Sequence, residues 1–235
     1  LIYPGIVISA MVVVGVLMLL YVVPTLTATF KELNVELPRT TQVVIAVSDF
    51  LVNYTILALI AFGALIAGLY FGVRTERGKR IWHYAILRIP IIGTIVREIN
   101  SARTARTLSS LLSAGVSVIQ SLTITEEVIQ NIYFKRVVHE SAIQIEKGGQ
   151  ISETFIKASH LYPIIFGEMA AVGEETGKLS ELFEQIATFY EGEVEQKTKD
   201  MSTVIEPFLM IFIGTVVGFF AVSMISPIYS LSSAI

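Results

Sequence analysis

One stretch of this chain, GEETGKLS at residues 173–180, could be taken for a loop that binds nucleotide phosphates. Such a loop has four residues between its glycines and Ser or Thr directly after its lysine, so that backbone amides surround the phosphates. Here three residues separate Gly173 from Gly177, and Leu179 follows Lys178. The stretch fails both requirements, and we predict that the chain does not hydrolyse nucleotide.

The other reactive side chains do not form a catalytic or metal-binding pattern. His83, His139 and His160 are far apart and have no second ligand at the spacing of a metal site. Adjacent glutamates, such as Glu126 with Glu127, point to different sides of a helix and do not converge on one bond. The chain has no cysteine, which excludes disulfides and thiolate chemistry. We therefore predict no enzymatic activity, no metal and no cofactor.

Glu206 lies at the edge of an apolar stretch, and ionisable groups in that position are candidates for proton transfer. The alternative is an interfacial side chain that reaches water, with Pro207 opening the membrane segment. We favour the alternative, because the other apolar stretches contain no charged partner at depth. Glu206 and Pro207 are thus predicted to mark membrane entry.

The composition indicates a membrane part and an aqueous part. The chain is 53% hydrophobic and 16% charged, whereas soluble domains are about 25% charged. Residues 5–23, 50–73 and 207–228 are each long and apolar enough to cross a bilayer. We predict three transmembrane helices, joined by a short periplasmic loop at 24–49 and a cytoplasmic domain at 74–206, with a periplasmic tail at 229–235.

The orientation follows from the excess of basic residues on the cytoplasmic side. The segment 24–49 contains two basic residues, Lys31 and Arg39. Eight follow the second apolar stretch: Arg74, Arg77, Lys79, Arg80, Arg88, Arg97, Arg103 and Arg106. This asymmetry predicts that residues 74–206 face the cytoplasm.

Residues 74–206 show helical periodicity throughout and predict an all-α bundle. One helix is predicted to end at Gly115. The next begins with a capping box formed by Ser117 and Gln120. Pro163 predicts the start of another helix and Gly177 its end. The last helix is expected to continue into the third apolar stretch. From Glu126 to Glu206 there are seven basic and fifteen acidic residues, the reverse of the preceding part of the domain. We expect two faces of opposite charge or, alternatively, a basic orientation signal and a solvated acidic helix face.

Several segments, in this order, resemble the family of type II secretion F proteins, which includes the type IV pilus platform. They are LIYP (1–4), VVP (22–24), LPRTT (37–41), SDF (48–50), ARTARTLSSLLSAGVSVIQSL (102–122), GEETGKLSELFEQIATFYEGEV (173–194) and IEPFLMIFIG (205–214). Family members carry two copies of the helical domain. The resemblance implies that this chain is the second copy with three spans, and the abrupt start at Leu1 fits a removed preceding segment.

The resemblance implies a bacterial inner-membrane scaffold without catalytic activity. It would couple a cytoplasmic hexameric ATPase to the extraction of pilin or pseudopilin, with inner-membrane alignment proteins as partners and no direct contact with nucleic acid. On this basis Arg97, Arg103 and Arg106 are candidate docking residues for the ATPase or a second platform subunit; they could equally face water or lipid headgroups. Gly173, Glu174 and Gly177 match the family's GE-x-x-G segment and are expected to form a helix junction.

The sequence leaves the oligomeric state and a competing function open. Small residues, including Gly214 and Gly218, would permit close helix packing, and we expect a homo-oligomer. A transporter or channel subunit is the competing function. That function needs polar faces on several spans, and Asn53, Tyr54 and Thr55 are too few to line a path.

Overall fold

The computed structural model describes residues 2–32 and 38–232. All secondary structure within these ranges is helical, which confirms the predicted fold class. The helices group into two compact units. The apolar unit comprises Leu1–Leu69 and Asp200–Ile235, and the charged unit comprises Tyr70–Lys199.

The apolar unit begins with a long helix that changes its winding. Helix α1 (Ile2–Leu17) continues through a π-helical segment, Met18–Val22, into α2 (Val23–Glu32). Helix α3 (Arg39–Asn53) and helix α4 (Thr55–Arg74) follow. Three helical stretches are long and apolar enough to cross a membrane: Gly5–Phe30, Thr55–Arg74 and the apolar part of Leu179–Ser223.

The segment 24–49, predicted as a loop, is mostly helical, and its residues 33–37 lie outside the described ranges. One side of α3 is buried through Thr41, Val44 and Ser48, which are three and four residues apart. The Ser48 hydroxyl donates to the Leu19 carbonyl of the π-helical segment at 2.6 Å, and Thr41 donates to the Ser223 carbonyl at 2.5 Å. These small polar side chains stabilise α3 against apolar helices, a packing that composition alone does not indicate.

The ends of the apolar helices also differ from the predicted bounds. The second apolar helix begins at Thr55 and not at residue 50, because Tyr54 leaves the helical region with φ −119° and ψ 31°. Residues 229–232, predicted as a tail, still belong to the last helix, and 233–235 lie outside the described ranges.

The charged unit consists of short helices followed by one long helix. Their bounds are α5 (Glu76–Arg88), α6 (Ile92–Ser113), α7 (Val118–Val128), α8 (Ile132–Glu146), α9 (Ile151–Lys157), α10 (Ile164–Thr176) and α11 (Leu179–Ser232). Residues of α11 up to Lys199 belong to this unit. The expected continuation of the last helix into the third apolar stretch is confirmed by the bounds of α11.

Side chains cap several of these helices, and the cap at Ser117 was predicted from the sequence. The Ser117 hydroxyl accepts from the Gln120 amide at 3.4 Å at the start of α7, and the Thr75 hydroxyl accepts from the Gly78 amide at 3.1 Å at the start of α5. Gly177 ends α10 with φ 71°, in the left-handed region that glycine adopts without a steric penalty.

An aromatic cluster forms the centre of the core. Tyr162, Phe155 and Phe166 are fully buried, with ring centroids 4.6–4.9 Å apart. Phe134 and Phe183 extend the cluster from α8 and α11. The Tyr162 hydroxyl pairs with Thr104 of α6 at 3.0 Å, so the one polar atom of these rings has a partner. Burial raises the pKa of Tyr162, and the group stays neutral at physiological pH.

Candidate functional site

The predicted docking residues lie on α6, which packs along the first part of α11. Arg106 is the most constrained of them. Its Nε and Nη2 donate to the two carboxylate oxygens of Glu191 at 2.9 and 2.6 Å, and its Nη1 donates to Glu184. Nη2 also contacts the Thr188 hydroxyl at 3.3 Å. Paired hydrogen bonds of this kind fix the guanidinium in one orientation.

The ionisation of this cluster follows from its hydrogen bonds. The bonds from Arg106 lower the pKa of Glu184 and of Glu191, and the bond to Glu191 raises the pKa of Arg106 itself. All three groups remain charged over the physiological range. The charge of Arg106 is therefore largely balanced within its own unit.

Arg103 and Arg97 differ from Arg106 in exposure and partners. Arg103 is exposed and lines a groove of about 410 Å³ with apolar contributions from Ile99 and Val194. Arg97 is half-buried, and its Nη2 reaches the Leu87 carbonyl at 3.5 Å. Its Nε is buried and, within the described residues, has no hydrogen-bond partner. Of the three arginines, Arg103 presents its charge most openly.

Sequence reasoning missed a second polar link between α6 and α11. Glu98 is 7% exposed and accepts from the Lys197 ammonium, which also pairs with Glu193 at 3.2 Å. The hydrogen bond to Glu98 raises the pKa of Lys197. Glu98 is an acidic residue within a basic stretch of the sequence. This isolated charge was the feature from which a basic partner on another helix could have been inferred.

The GE-x-x-G segment brings three helices together. The Glu174 carboxylate of α10 accepts from the backbone amides of Ile151 and Ser152, the latter at 3.1 Å. These amides start α9 and have no partner within their own helix. A side chain at Gly173 would place its Cβ 3.0 Å from Leu179 Cα, so glycine allows α10 to approach the start of α11. With Gly177 at the turn, the segment joins α9, α10 and α11.

Glu206 and Pro207 are both exposed and lie inside α11. The helix thus passes through Pro207 without ending, although proline lacks the amide that would donate to the preceding turn. This continuity agrees with the expectation that the last helix runs on into the third apolar stretch. Membrane entry at these residues stays a prediction.

The remaining titratable groups form isolated contacts. His83 Nδ1 accepts from the Ile132 amide at 3.3 Å, and burial lowers the pKa of His83. His139 pairs with Glu126 at 2.9 Å. Within residues 2–32 and 38–232, no group of three or more metal-ligating side chains is found.

Comparison with known proteins identifies relatives along nearly the whole chain. Residues 104–227 match the family described as Type II secretion system (T2SS), protein F. The chain is 33% identical, over 97% of its length, to the type IV pilus assembly protein PilC of Thermus thermophilus, covering 56% of that protein. It is 32% identical, over 99% of its length, to PilC of Pseudomonas aeruginosa, covering 62% of it.

A secretion protein is similar to the same degree. The type II secretion system protein F of Pseudomonas aeruginosa is 31% identical over 100% of this chain, which covers 58% of that protein. The chain thus spans less than two thirds of the length of these relatives. Since the family match extends from α6 almost to the end of α11, the chain belongs to the family of type II secretion system protein F.

Proposed function

We propose that this chain is part of the inner-membrane platform of a type IV pilus or type II secretion machine. The platform is a scaffold without catalytic activity. It couples a cytoplasmic hexameric assembly ATPase to the extraction and polymerisation of pilin or pseudopilin, beside inner-membrane alignment proteins. The observation that carries the proposal is the alignment, over nearly the whole chain, with relatives named for both machines.

The course of α11 supports a mechanical role. Its first part contributes Phe183, Ile186 and Tyr190 to the core of the charged unit. The same helix contains the third stretch that is apolar enough to cross a membrane. Because helical segments are stiffer than flexible linkers, we propose that α11 carries movement from the charged unit to the membrane.

The exposed charges of α6 support a docking role, now centred on Arg103. Arg106 is held by Glu184 and Glu191, so an acidic partner would have to compete with both carboxylates. Arg103 is exposed beside the apolar side chains of Ile99 and Val194. We propose that Arg103 contacts an acidic surface of the ATPase and that Arg97 and Arg106 hold α6 in position.

Binding of the assembly ATPase from the same genome to the full chain in detergent tests this proposal. We expect binding that weakens as salt rises, because exposed charges are screened. Arg103→Gln should weaken binding about tenfold, or about 1.4 kcal/mol, because the variant loses its charge pair with the ATPase. Lys147→Gln removes an exposed charge outside α6 and is the control. Undetectable binding at low salt would contradict the platform role, and equal binding of both variants would exclude Arg103.

A further inference from the structure

We propose that residues 70–92 bind the surface of the bilayer at anionic phospholipid headgroups. This segment, termed the surface segment below, contains the end of α4, helix α5 and the turn before α6. All of it lies within the charged unit. The proposal does not depend on the assembly ATPase or on pilin. It concerns a face of α5 that is exposed among the described residues.

The chain connection keeps α5 close to the membrane. Helix α4 is a candidate membrane span that ends at Arg74, and α5 begins at Glu76. The turn is tight, since a Cβ at Gly78 would lie 1.8 Å from the Gly72 carbonyl oxygen. Each residue extends the chain by at most about 3.5 Å. The first residue of α5 therefore lies within about 10 Å of the end of α4.

The charge of the surface segment complements anionic lipid. Its basic side chains are Arg74, Arg77, Lys79, Arg80 and Arg88, and Glu76 is its acidic residue. Lys79 pairs with Glu76 at 3.4 Å. Among the described residues no ion pair involves Arg77 or Arg80, so these charges are available to phosphate groups. Basic residues next to a span attract the anionic lipids of the cytoplasmic leaflet.

The outward face of α5 is apolar and aromatic as well as basic. Ile81 is 69% exposed and Trp82 51%. Arg77, Ile81 and Arg88 are spaced by four and seven residues and share one side of the helix. The opposite side packs on the bundle through Leu87 and through His83, which accepts from the Ile132 amide. Basic, isoleucine and tryptophan side chains exposed on one helix next to a span are features found at the membrane interface.

The turn after α5 exposes isoleucine side chains at a cost in backbone strain. Ile91 has φ 69° and ψ −59°, and the Ile92 amide donates to the Pro90 carbonyl at 2.8 Å. This is a γ-turn of the strained positive-φ form, which β-branched residues rarely adopt. Ile91 is nevertheless 67% exposed. Contact with acyl chains would account for an isoleucine where glycine would fit better.

Trp82 is the single tryptophan of the chain, so its fluorescence reports on the surface segment without a label. The full chain is reconstituted in vesicles of phosphatidylglycerol and phosphatidylcholine, with bromine atoms near the headgroup end of the acyl chains. We expect blue-shifted emission that the brominated lipids quench. In vesicles of phosphatidylcholine alone, we expect weaker quenching.

A double variant tests the role of charge. Each basic residue near an anionic surface raises the ratio of bound to unbound segment by about fivefold. Arg77→Gln with Arg88→Gln should therefore lower the ratio of bound to unbound segment by roughly 25-fold and reduce quenching. The matched control is Arg136→Gln with Lys147→Gln, two exposed positions outside the surface segment, which should quench as the original chain does.

The Ile91→Gly variant separates lipid contact from folding. Glycine adopts positive φ freely, so the variant should unfold at the same temperature or a higher one while Trp82 quenching falls. Emission that is blue-shifted but unquenched would mean that protein covers Trp82, as in contact with a second copy, and would overturn the proposal. Emission typical of water, or equal quenching in both lipid mixtures, would also overturn it.

Discussion

Glu174 shows how one side chain decides the start of a neighbouring helix. Its carboxylate accepts from the Ile151 and Ser152 amides of α9, where a negative charge also favours the helix dipole. Glu174→Gln removes the charge and leaves a single amide oxygen to accept. We expect a loss of about 1 to 2 kcal/mol in local stability. Hydrogen exchange at these two amides should accelerate about tenfold.

The adjacent Glu175 provides a control for this measurement. Glu175 is exposed, and a surface substitution of this kind changes stability by about 0.5 kcal/mol or less. Glu175→Gln should therefore leave exchange at Ile151 and Ser152 unchanged. Equal exchange rates in the two variants would refute the capping role of Glu174.

The hydrogen bonds of Arg106 should make the stability of the fold depend on pH in the acid range. Its hydrogen bonds place the pKa of Glu184 and of Glu191 below the usual value. Carboxylates of this kind stabilise the fold above their unfolded pKa, near 4.3, and this stability is lost as pH falls through the folded pKa. The melting temperature of the full chain in detergent should therefore fall below about pH 4.5.

Variants of two arginines on α6 identify the source of that effect. In Arg106→Gln the carboxylates lose their cationic partner, so the melting temperature should be lower at neutral pH and should depend less on acid. Arg103→Gln changes the same charge at an exposed position and should keep the original pH profile. Parallel profiles for the original chain and Arg106→Gln would show that the cluster does not stabilise the fold.

At the scale of elements, close packing of α9 against α10 depends on Gly167. A Cβ at this position would lie 2.6 Å from Ile156 Cγ1 and 2.9 Å from the Ile156 backbone nitrogen. Because the backbone cannot move aside easily, Gly167→Ala should destabilise the charged unit by about 1 to 3 kcal/mol. The loss is measured by denaturant unfolding followed by circular dichroism.

Gly192 supplies the opposite case within α11. A Cβ there would have no heavy atom within 4 Å, and alanine is favoured over glycine inside a helix by about 1 kcal/mol. Gly192→Ala should therefore stabilise the protein by up to that amount. A stabilising Gly167→Ala variant would mean that α9 and α10 are farther apart than described.

At the scale of the whole molecule, the predicted topology can be tested with single cysteines, because the chain contains none. Thr40 and Lys147 are both exposed. With residues 24–49 outside and 74–206 in the cytoplasm, Thr40→Cys should react with a membrane-impermeant maleimide in intact spheroplasts. Lys147→Cys should react after lysis. Labelling of Lys147→Cys in intact spheroplasts would reverse the proposed orientation.

The helical class and several helix ends of the charged unit followed from local sequence. Apolar length predicted the three candidate spans, and Ser117, Pro163 and Gly177 predicted boundaries that the structure confirms. These signals are local, since capping groups and apolar periodicity act within one or two helical turns. The resemblance to the family was likewise found from the sequence, since it rests on the order of the matching segments.

Long-range pairing depended on the tertiary structure. Three polar contacts join residues that are distant in the sequence. They are Arg106 with Glu184 and Glu191, Glu98 with Lys197, and Glu174 with the start of α9. The packing of α3 likewise involves Thr41 and Ser48, which donate to carbonyls of other helices. A sequence shows which side chains carry charge or donors, but their partners are fixed when the helices pack, because packing brings distant positions within hydrogen-bond distance.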